Sequence, residues 1–121
     1  MIGVGIDAVD IERFRRSLHR TPSLRDRLFT PRELSYLSDR ADPVPGLAAR
    51  FAAREAAMKA LAQGLGAWGF HDVSVVRDGS GPPTLEVVGR AAELAADFGV
   101  TRWTVSLTHT DTVAVAVVAA L

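Results

Sequence analysis

LAARFAAREAAMKALAQ, residues Leu47 to Gln63, is built from strong helix formers with no β-branched residue in the run. Pro45 stands just upstream, and Gly64 follows where a left-handed cap is commonly needed. The composition predicts one long helix. At about 100° per residue, Leu47, Phe51, Met58 and Leu65 share a stripe, with Leu61 beside it. Opposite lie Ala49, Ala53, Ala56 and Ala60, where a surface helix would carry Lys, Glu or Gln. A helix apolar all round is buried inside the protein or against a partner. Yet Arg50, Arg54, Glu55 and Lys59 ride on it. Buried charge is tolerated when it is paired or meets an ion or ligand. Two readings follow: a structural Glu55–Lys59 pair at i,i+4, or a carboxylate and cations facing a charged ligand in a cleft.

The bulk of the chain limits the alternatives. A length of 121 residues suits one domain over 1–121, and 48% hydrophobic content with modest charge suits a soluble, globular one. No apolar run approaches the ~18–20 residues of a membrane span. The start, MIGVGID, has neither a basic region nor a cleavage site, so a cytoplasmic location is the expectation. The absence of cysteine excludes disulfides, Cys-based zinc sites and thiol nucleophiles.

Net charge is zero but unevenly spread. Residues 12–32 hold seven arginines (13, 15, 16, 20, 25, 27 and 32) against two acids (12 and 26), a balance of +5 that the remainder offsets. Ile2 to Ile6 reads as a short buried strand ending at Asp7. Asp7 is either an N-cap for the next helix or a metal or catalytic carboxylate. From Ala8 to Arg20, Ile11, Phe14 and Leu18 mark one helical face, and Arg13, Arg16 and Arg20 share a second at the same spacing. No acid offsets those arginines on their face, which favours an acidic partner over a merely solvated surface. Arg25 to Leu37 reads as short helix, where Thr30, Pro31 and Glu33 have the form of a capping box, with Tyr36 and Leu37 inward. That explains Glu33 without chemistry. Asp39–Gly46, containing DPVPG, is the expected mobile break.

Beyond the central helix the period changes. Val73–Val76 and Thr84–Val88 read as antiparallel strands around a turn at Asp78–Pro83. Arg90–Phe98 reads as a helix with Leu94 and Phe98 inward and Gly99 as its stop. Trp103, Val105 and Leu107 alternate with Thr104, Ser106 and Thr108 in a half-buried strand, and Val113–Val118 alternates Val with Ala. His109 falls in the polar turn between them, as a surface residue or a ligand, while His19 and His71 have no partner at useful spacing. No HExxH, Walker-type loop or GxSxG is present, so zinc proteases, P-loop enzymes and serine hydrolases lack support. Lys59 is the single lysine among fourteen cations, and lysine can shift its pKa and move a proton as arginine cannot.

GIDAVDIERF at 5–14, LFTPREL at 28–34, ARFAAREAAMKAL at 49–61, GPP with Leu85, and WTVSLTHTDTVAVAVV at 103–118 together resemble the holo-[acyl-carrier-protein] synthase family of small 4′-phosphopantetheinyl transferases. The motifs occur in family order across nearly the whole chain. The resemblance implies an α+β fold, a small antiparallel sheet packed with one long central helix and shorter helices, assembled as a homotrimer with active sites between subunits. It implies Mg²⁺-dependent transfer of 4′-phosphopantetheine from coenzyme A to a serine of apo-acyl carrier protein. By position, Asp7 and Glu55 match the metal ligands, and Arg50, Lys59 and His109 match residues that contact coenzyme A or support transfer. Arg13 and Arg20 match basic positions that receive the carrier protein; Arg16 joins them by spacing. Arg54 departs from the family's usual lysine and receives no catalytic assignment.

The residues fit this independently. Mg²⁺ is commonly held by one or two carboxylates, with waters and substrate phosphates completing the shell, and Asp7 with Glu55 supply such a pair. The rival from another class is a nucleic-acid-binding module using the arginine-rich segment 13–32; the neutral total and the lack of a nucleic-acid motif weigh against it. A transferase-like protein without activity is a third reading, opposed by the presence of Asp7, Glu55, Lys59 and His109.

Overall fold

The central helix, α4, spans Val44–Ala60 in the computed structural model, which describes residues 1–121. It starts upstream of the expected point because Pro45 sits in its first turn, where a missing N–H costs nothing. The break at residues 39–46 is therefore shorter than expected and pinned. Asp42 accepts Val44 N–H at 3.1 Å and takes both Arg15 terminal nitrogens at 2.9 and 2.8 Å. At the other end the left-handed residue is Ala62, at φ 54°, and not Gly64. Ala62 and Gln63 N–H still reach the Lys59 and Met58 carbonyls at 3.0 and 2.8 Å, which offsets a strain of about 1–2 kcal/mol.

The strand before α1 is longer than its apolar run suggested. β1 covers Gly3–Asp10, because all eight residues pair antiparallel with β5 (Val113–Ala120). β5 also pairs with β4 (Trp103–His109), giving the order β1-β5-β4. Asp7 thus lies within a strand, and the N-cap of α1 (Ile11–Arg20) is Asp10, which accepts Arg13 N–H at 2.9 Å. The helix cap explanation for Asp7 is removed.

The alanine face of α4 is buried by the chain's own sheet. Ala52, Ala53, Ala56 and Ala57 are wholly buried, as are Ala116 and Ala120 of β5. The backbones nearly touch: a Cβ on Gly5 would stand 1.9 Å from the Ala56 carbonyl oxygen, and one on Gly3 1.9 Å from that of Ala60. Of the two covers that an all-round apolar helix admits, the protein's own interior and a partner subunit, the structure has the first, and a subunit contact on this face is ruled out. The uncovered apolar surface is the far side of the sheet, where aligned rows run Val4–Ala119–Thr104, Ile6–Val117–Ser106 and Ala8–Val115–Thr108. Val4 and Ile6 there are 58% and 60% exposed.

Three short elements close over the first half of α4. They are α1, α2 (Leu24–Leu28) and α3 (Pro31–Leu37), whose Ile11, Phe14, Leu28, Phe29 and Leu37 pack with Leu47 and Ala48. The capping box at Thr30 and Glu33 forms with both arms present. A hairpin of β2 (Val73–Val76) and β3 (Thr84–Val87) follows a short 3₁₀ turn at Phe70–Asp72, and α5 (Gly89–Asp97) packs Ala91 and Ala95 inward. Phe98 ends α5 and stands 45% exposed, contrary to the inward position its spacing suggested. No helix is long and apolar enough to cross a membrane. The architecture is α+β, as expected.

Candidate active site

The four charges on α4 are sorted by helix rotation. Arg50 and Glu55, five residues apart, differ by about 140° around the axis, whereas Glu55 and Lys59 differ by about 40°. The structure accordingly builds two separate clefts instead of one.

The first is acidic at its base. Asp7, from β1, and Glu55, from α4, line a cleft of about 470 Å³ together with Asp10, Arg13, Ser17 and Phe51. Lys59 lies beside it: its Nζ donates to Asp7 Oδ1 and to the Ile6 carbonyl, each at 3.0 Å. The structural Glu55–Lys59 pair is not formed, since Lys59 bonds to Asp7 instead. Burial pushes the Glu55 carboxyl above its usual range, the Asp7 charge pushes it further, and Lys59 only partly opposes them. A carboxyl whose proton affinity is raised by burial and by a neighbouring carboxylate favours a cation there. Asp10 lines the cleft but caps α1, and no third Asp, Glu or His comes near enough to share an ion with Asp7 and Glu55. That donor set fits a hard ion that draws its other ligands from water and substrate phosphate, and it does not fit a closed zinc site.

The second cleft, about 320 Å³, is cationic. Arg50 and His109 line it with Tyr36, Arg40, Arg77 and Thr108. Arg50 is 5% exposed, and burial lowers its affinity for its proton. Its Nη1 donates to the Gly46 carbonyl at 3.1 Å and its guanidinium stands 5.4 Å from the Tyr36 ring centre. Its Nε has no partner at all. A buried cation with an unused N–H among further arginines calls for an anion of more than one charge. Sequence reading placed Arg50 and His109 on candidate duty but missed Tyr36, Arg40 and Arg77. They arrive from α3, the α3–α4 connection and the end of β2, and no local spacing links them. The Tyr36 hydroxyl, which donates to the Gly79 carbonyl at 3.1 Å, ties the hairpin to this cleft.

The arginine strip is where spacing put it. Arg13, Arg16 and Arg20 are exposed on α1 and enter no ion pair, whereas Arg15 is neutralised by Glu12 and Asp42. Arg13 also lines the Asp7–Glu55 cleft, so the strip begins at the mouth of that cleft. Arg54 points the other way, into the core, where it pairs with Glu33.

Residues 3–118 match the family model described as the 4′-phosphopantetheinyl transferase superfamily. The chain is 50% identical over 120 residues to a holo-[acyl-carrier-protein] synthase of Streptomyces avermitilis, covering 99% of this chain and 97% of that protein. Its fold is similar to that of the holo-[acyl-carrier-protein] synthase of Neisseria meningitidis, with a TM-score of 0.89, 29% identity, and coverage of 100% and 98% of the two chains. It is also similar to the Helicobacter pylori enzyme in complex with coenzyme A, with a TM-score of 0.79, 26% identity, and coverage of 98% and 99%.

The raised Glu55 carboxyl has a thermodynamic consequence. A carboxyl whose folded pKa exceeds its unfolded one binds its proton more tightly in the folded chain. Its ionisation therefore opposes folding at neutral pH, and that cost disappears as pH falls through the folded value. Glu55→Gln is expected to raise the Tm of the free protein, in chelator, by about 2–4 °C at about pH 7.5, with the gap closing toward about pH 4. Thermal unfolding at the two pH values checks this; a Tm equal to or below wild type at the higher pH rejects it.

Proposed function

The chain belongs to the 4′-phosphopantetheinyl transferase superfamily, and from that premise we propose how it moves the 4′-phosphopantetheine group of coenzyme A to a serine of apo-acyl carrier protein: with Asp7 and Glu55 holding Mg²⁺ and Arg50 and His109 binding the nucleotide end. The observation that carries this reading is the division of the charged groups into a two-carboxylate cleft and a separate cationic cleft. Coenzyme A has the matching chemistry, a diphosphate at the reacting centre and a 3′-phosphate some distance away.

The serine hydroxyl of the carrier attacks the β-phosphorus. The bond to the bridging oxygen breaks, and adenosine 3′,5′-bisphosphate departs with holo-carrier as the other product. Mg²⁺, when bound, polarises the phosphoryl oxygen and stabilises the charge on the leaving phosphate. Lys59, more than half exposed beside Asp7, sets a cation at the edge of the same cleft where the diphosphate charge must be balanced. Of this chain's own groups, Glu55 in the cleft, or Lys59 in its neutral form, could take the hydroxyl proton. Arg50, with its unused Nε and the neighbouring Arg40, Arg77 and His109, supplies preorganised donors for the 3′-phosphate. The nucleic-acid reading gains no support, since the chain has no charge excess to hold a phosphate backbone. A cytoplasmic enzyme serving a fatty-acid or polyketide carrier is the setting this chemistry implies.

Wild-type protein with apo-carrier, coenzyme A and Mg²⁺ is expected to add the phosphopantetheine mass to the carrier, read by mass spectrometry. Asp7→Ala should fold and lose nearly all of that conversion. Normal conversion by folded Asp7→Ala at saturating Mg²⁺ removes the metal assignment.

Assembly as a homotrimer is supported by two features. The outer sheet face exposes Val4, Ile6 and Val117, an apolar patch that monomers rarely leave open. The two half-sites also point apart on one chain, so the carboxylates of one subunit and Arg50 with His109 of the next complete each site. Ile6→Asp, in the middle row of that face, should sediment as monomer and lose turnover while keeping its secondary structure. A fully active monomer overturns the shared site.

Carrier docking falls on the α1 strip. Because Arg13 shares the carboxylate cleft, Arg16 and Arg20 make the cleaner test. Arg16→Glu with Arg20→Glu should raise the KM for carrier at least about tenfold, which is ~1.4 kcal/mol, and leave that for coenzyme A within about twofold. Added salt should weaken wild-type carrier binding more than that of the double variant. A parallel rise of both KM values assigns the strip to the nucleotide site or to the fold.

A further inference from the structure

Arg54 and Glu33 lie outside both clefts, yet they form the most heavily bonded side-chain node in the molecule. Both are 1% exposed. The guanidinium grips the carboxylate with two nitrogens, Nη1 to Oε2 at 2.9 Å and Nη2 to Oε1. Its Nε donates to the Phe70 carbonyl at 2.9 Å, ahead of β2, and its Nη1 reaches the Arg50 carbonyl one turn back at 3.3 Å. The Phe29 ring lies under it, 5.1 Å from centre to guanidinium carbon. Glu33 in turn accepts Val75 N–H of β2 at 3.0 Å and Thr30 N–H at the start of α3 at 2.9 Å. One ion pair therefore joins α3, α4, the 3₁₀ turn and β2.

That node supplies something the rest of the α4 packing lacks. The helix meets the sheet through alanine and glycine, whose small surfaces let it approach closely but give few ridges to lock its rotation. Rotation is what the chemistry depends on, because Arg50, Glu55 and Lys59 point into their clefts from different sides of the same helix. A turn of about 20° moves a carboxylate ~6 Å from the axis by about 2 Å. Misplacement of about 1 Å at a reacting centre can cost about a hundredfold in rate. Arg54 is also the residue directly before Glu55, so a fixed guanidinium fixes the Cα next to the proposed metal ligand.

We infer that the Arg54–Glu33 pair is a positioning device for the transfer reaction: it sets the rotation of α4 that brings Glu55 to the Asp7 cleft and Arg50 to the cationic one. Burial alone would raise the Glu33 carboxyl, but Arg54 and then the Val75 and Thr30 N–H groups outweigh it and hold the group below its usual range, so the pair stays charged at neutral pH. The inference rests on the transfer reaction assigned above.

Removing one partner leaves the other buried and unpaired, whereas replacing both by neutral groups is often tolerated. The informative variant is therefore Glu33→Gln with Arg54→Met, compared with Arg54→Lys and with Glu33→Asp. In the carrier-conversion assay, the folded double variant should lose at least about tenfold in kcat while the KM for carrier, set on α1, stays within about twofold. Arg54→Lys keeps the charge on Glu33 but not the fork, the Nε bond to Phe70 or the stack on Phe29, and should fall between wild type and the double variant in kcat at unchanged carrier KM. Glu33→Asp keeps the charges but shortens the reach by one methylene, and should lose at least about threefold in kcat at unchanged carrier KM. It provides the test if the double variant does not fold. Wild-type kcat in a folded double variant or in Glu33→Asp overturns the inference. So does Arg54→Lys as slow as the double variant, or a loss of kcat accompanied by an equal rise in carrier KM, which marks a generally loosened fold. Absence of conversion by wild type overturns the transfer reading itself, which distinguishes the two failures.

Discussion

The contact between α4 and β1 at backbone distance is the constraint on which the other elements depend. Carbonyl oxygens of Ala56 and Ala60 occupy the space that side chains at Gly5 and Gly3 would need. Such an approach is possible only if both surfaces are nearly bare, which is why glycine recurs on β1, alanine on β5 and alanine on α4. The close approach brings Asp7, two residues beyond Gly5 on the same side of the strand, beside Glu55 and Lys59 of the helix. The carboxylate cleft is thus a by-product of how thin the interface is. Any larger residue in the contact would separate the two carboxylates before it touched either of them.

Bare surfaces have a cost in specificity, and the chain recovers it with charge. Arg54 is the most deeply enclosed cation on α4, and it is enclosed with full compensation: a forked carboxylate, two backbone carbonyls and an aromatic face. Removal of one partner from such a pair typically costs about 3–5 kcal/mol, a large share of a small domain's stability. Arg50 is enclosed with incomplete compensation, and the half-buried Glu55 has less still. Along one helix, the degree of compensation falls as the assigned role shifts from holding the fold to meeting a ligand. Uncompensated charge costs stability in the free protein and is the form in which affinity for a charged ligand is stored.

Much of this was legible in the chain, and what was not has physical causes. Periodicity found α4, the α1 arginine strip and the antiparallel strands, because each is written in residues close in sequence. The anomaly of charges on an alanine-rich helix pointed to Glu55 and Lys59. The partner of Arg54 was hidden, since Glu33 already had a complete local explanation as a capping-box acid and performs both tasks at once. The extent of β1 was hidden for a different reason. Its last residues, Ala8 to Asp10, have no apolar run of their own and are strand only because β5 offers them partners. With the strand ended too early, Asp7 looked like a cap. The alanine face misled in the same way: a bare helix surface shows that something covers it, and only the fold shows that the cover is the chain's own sheet.

The same register decides which surface of the sheet is left uncovered. A strand alternates its side chains, so the glycines and alanines that admit α4 force the intervening Val4, Ile6, Val115 and Val117 to the opposite side. An inner face specialised for close approach to a helix therefore creates an outer face whose β1 and β5 positions are apolar, with Thr104, Ser106 and Thr108 along one edge. The sheet has only three strands and no second layer on that side. Covering it with an identical sheet would remove the exposed apolar rows. In the assembly proposed above, the carboxylate cleft of one subunit is completed by the cationic cleft of the next, which helix rotation keeps apart within one chain. The packing that assembles the carboxylates and the packing that would assemble the subunits are two faces of one strand pattern.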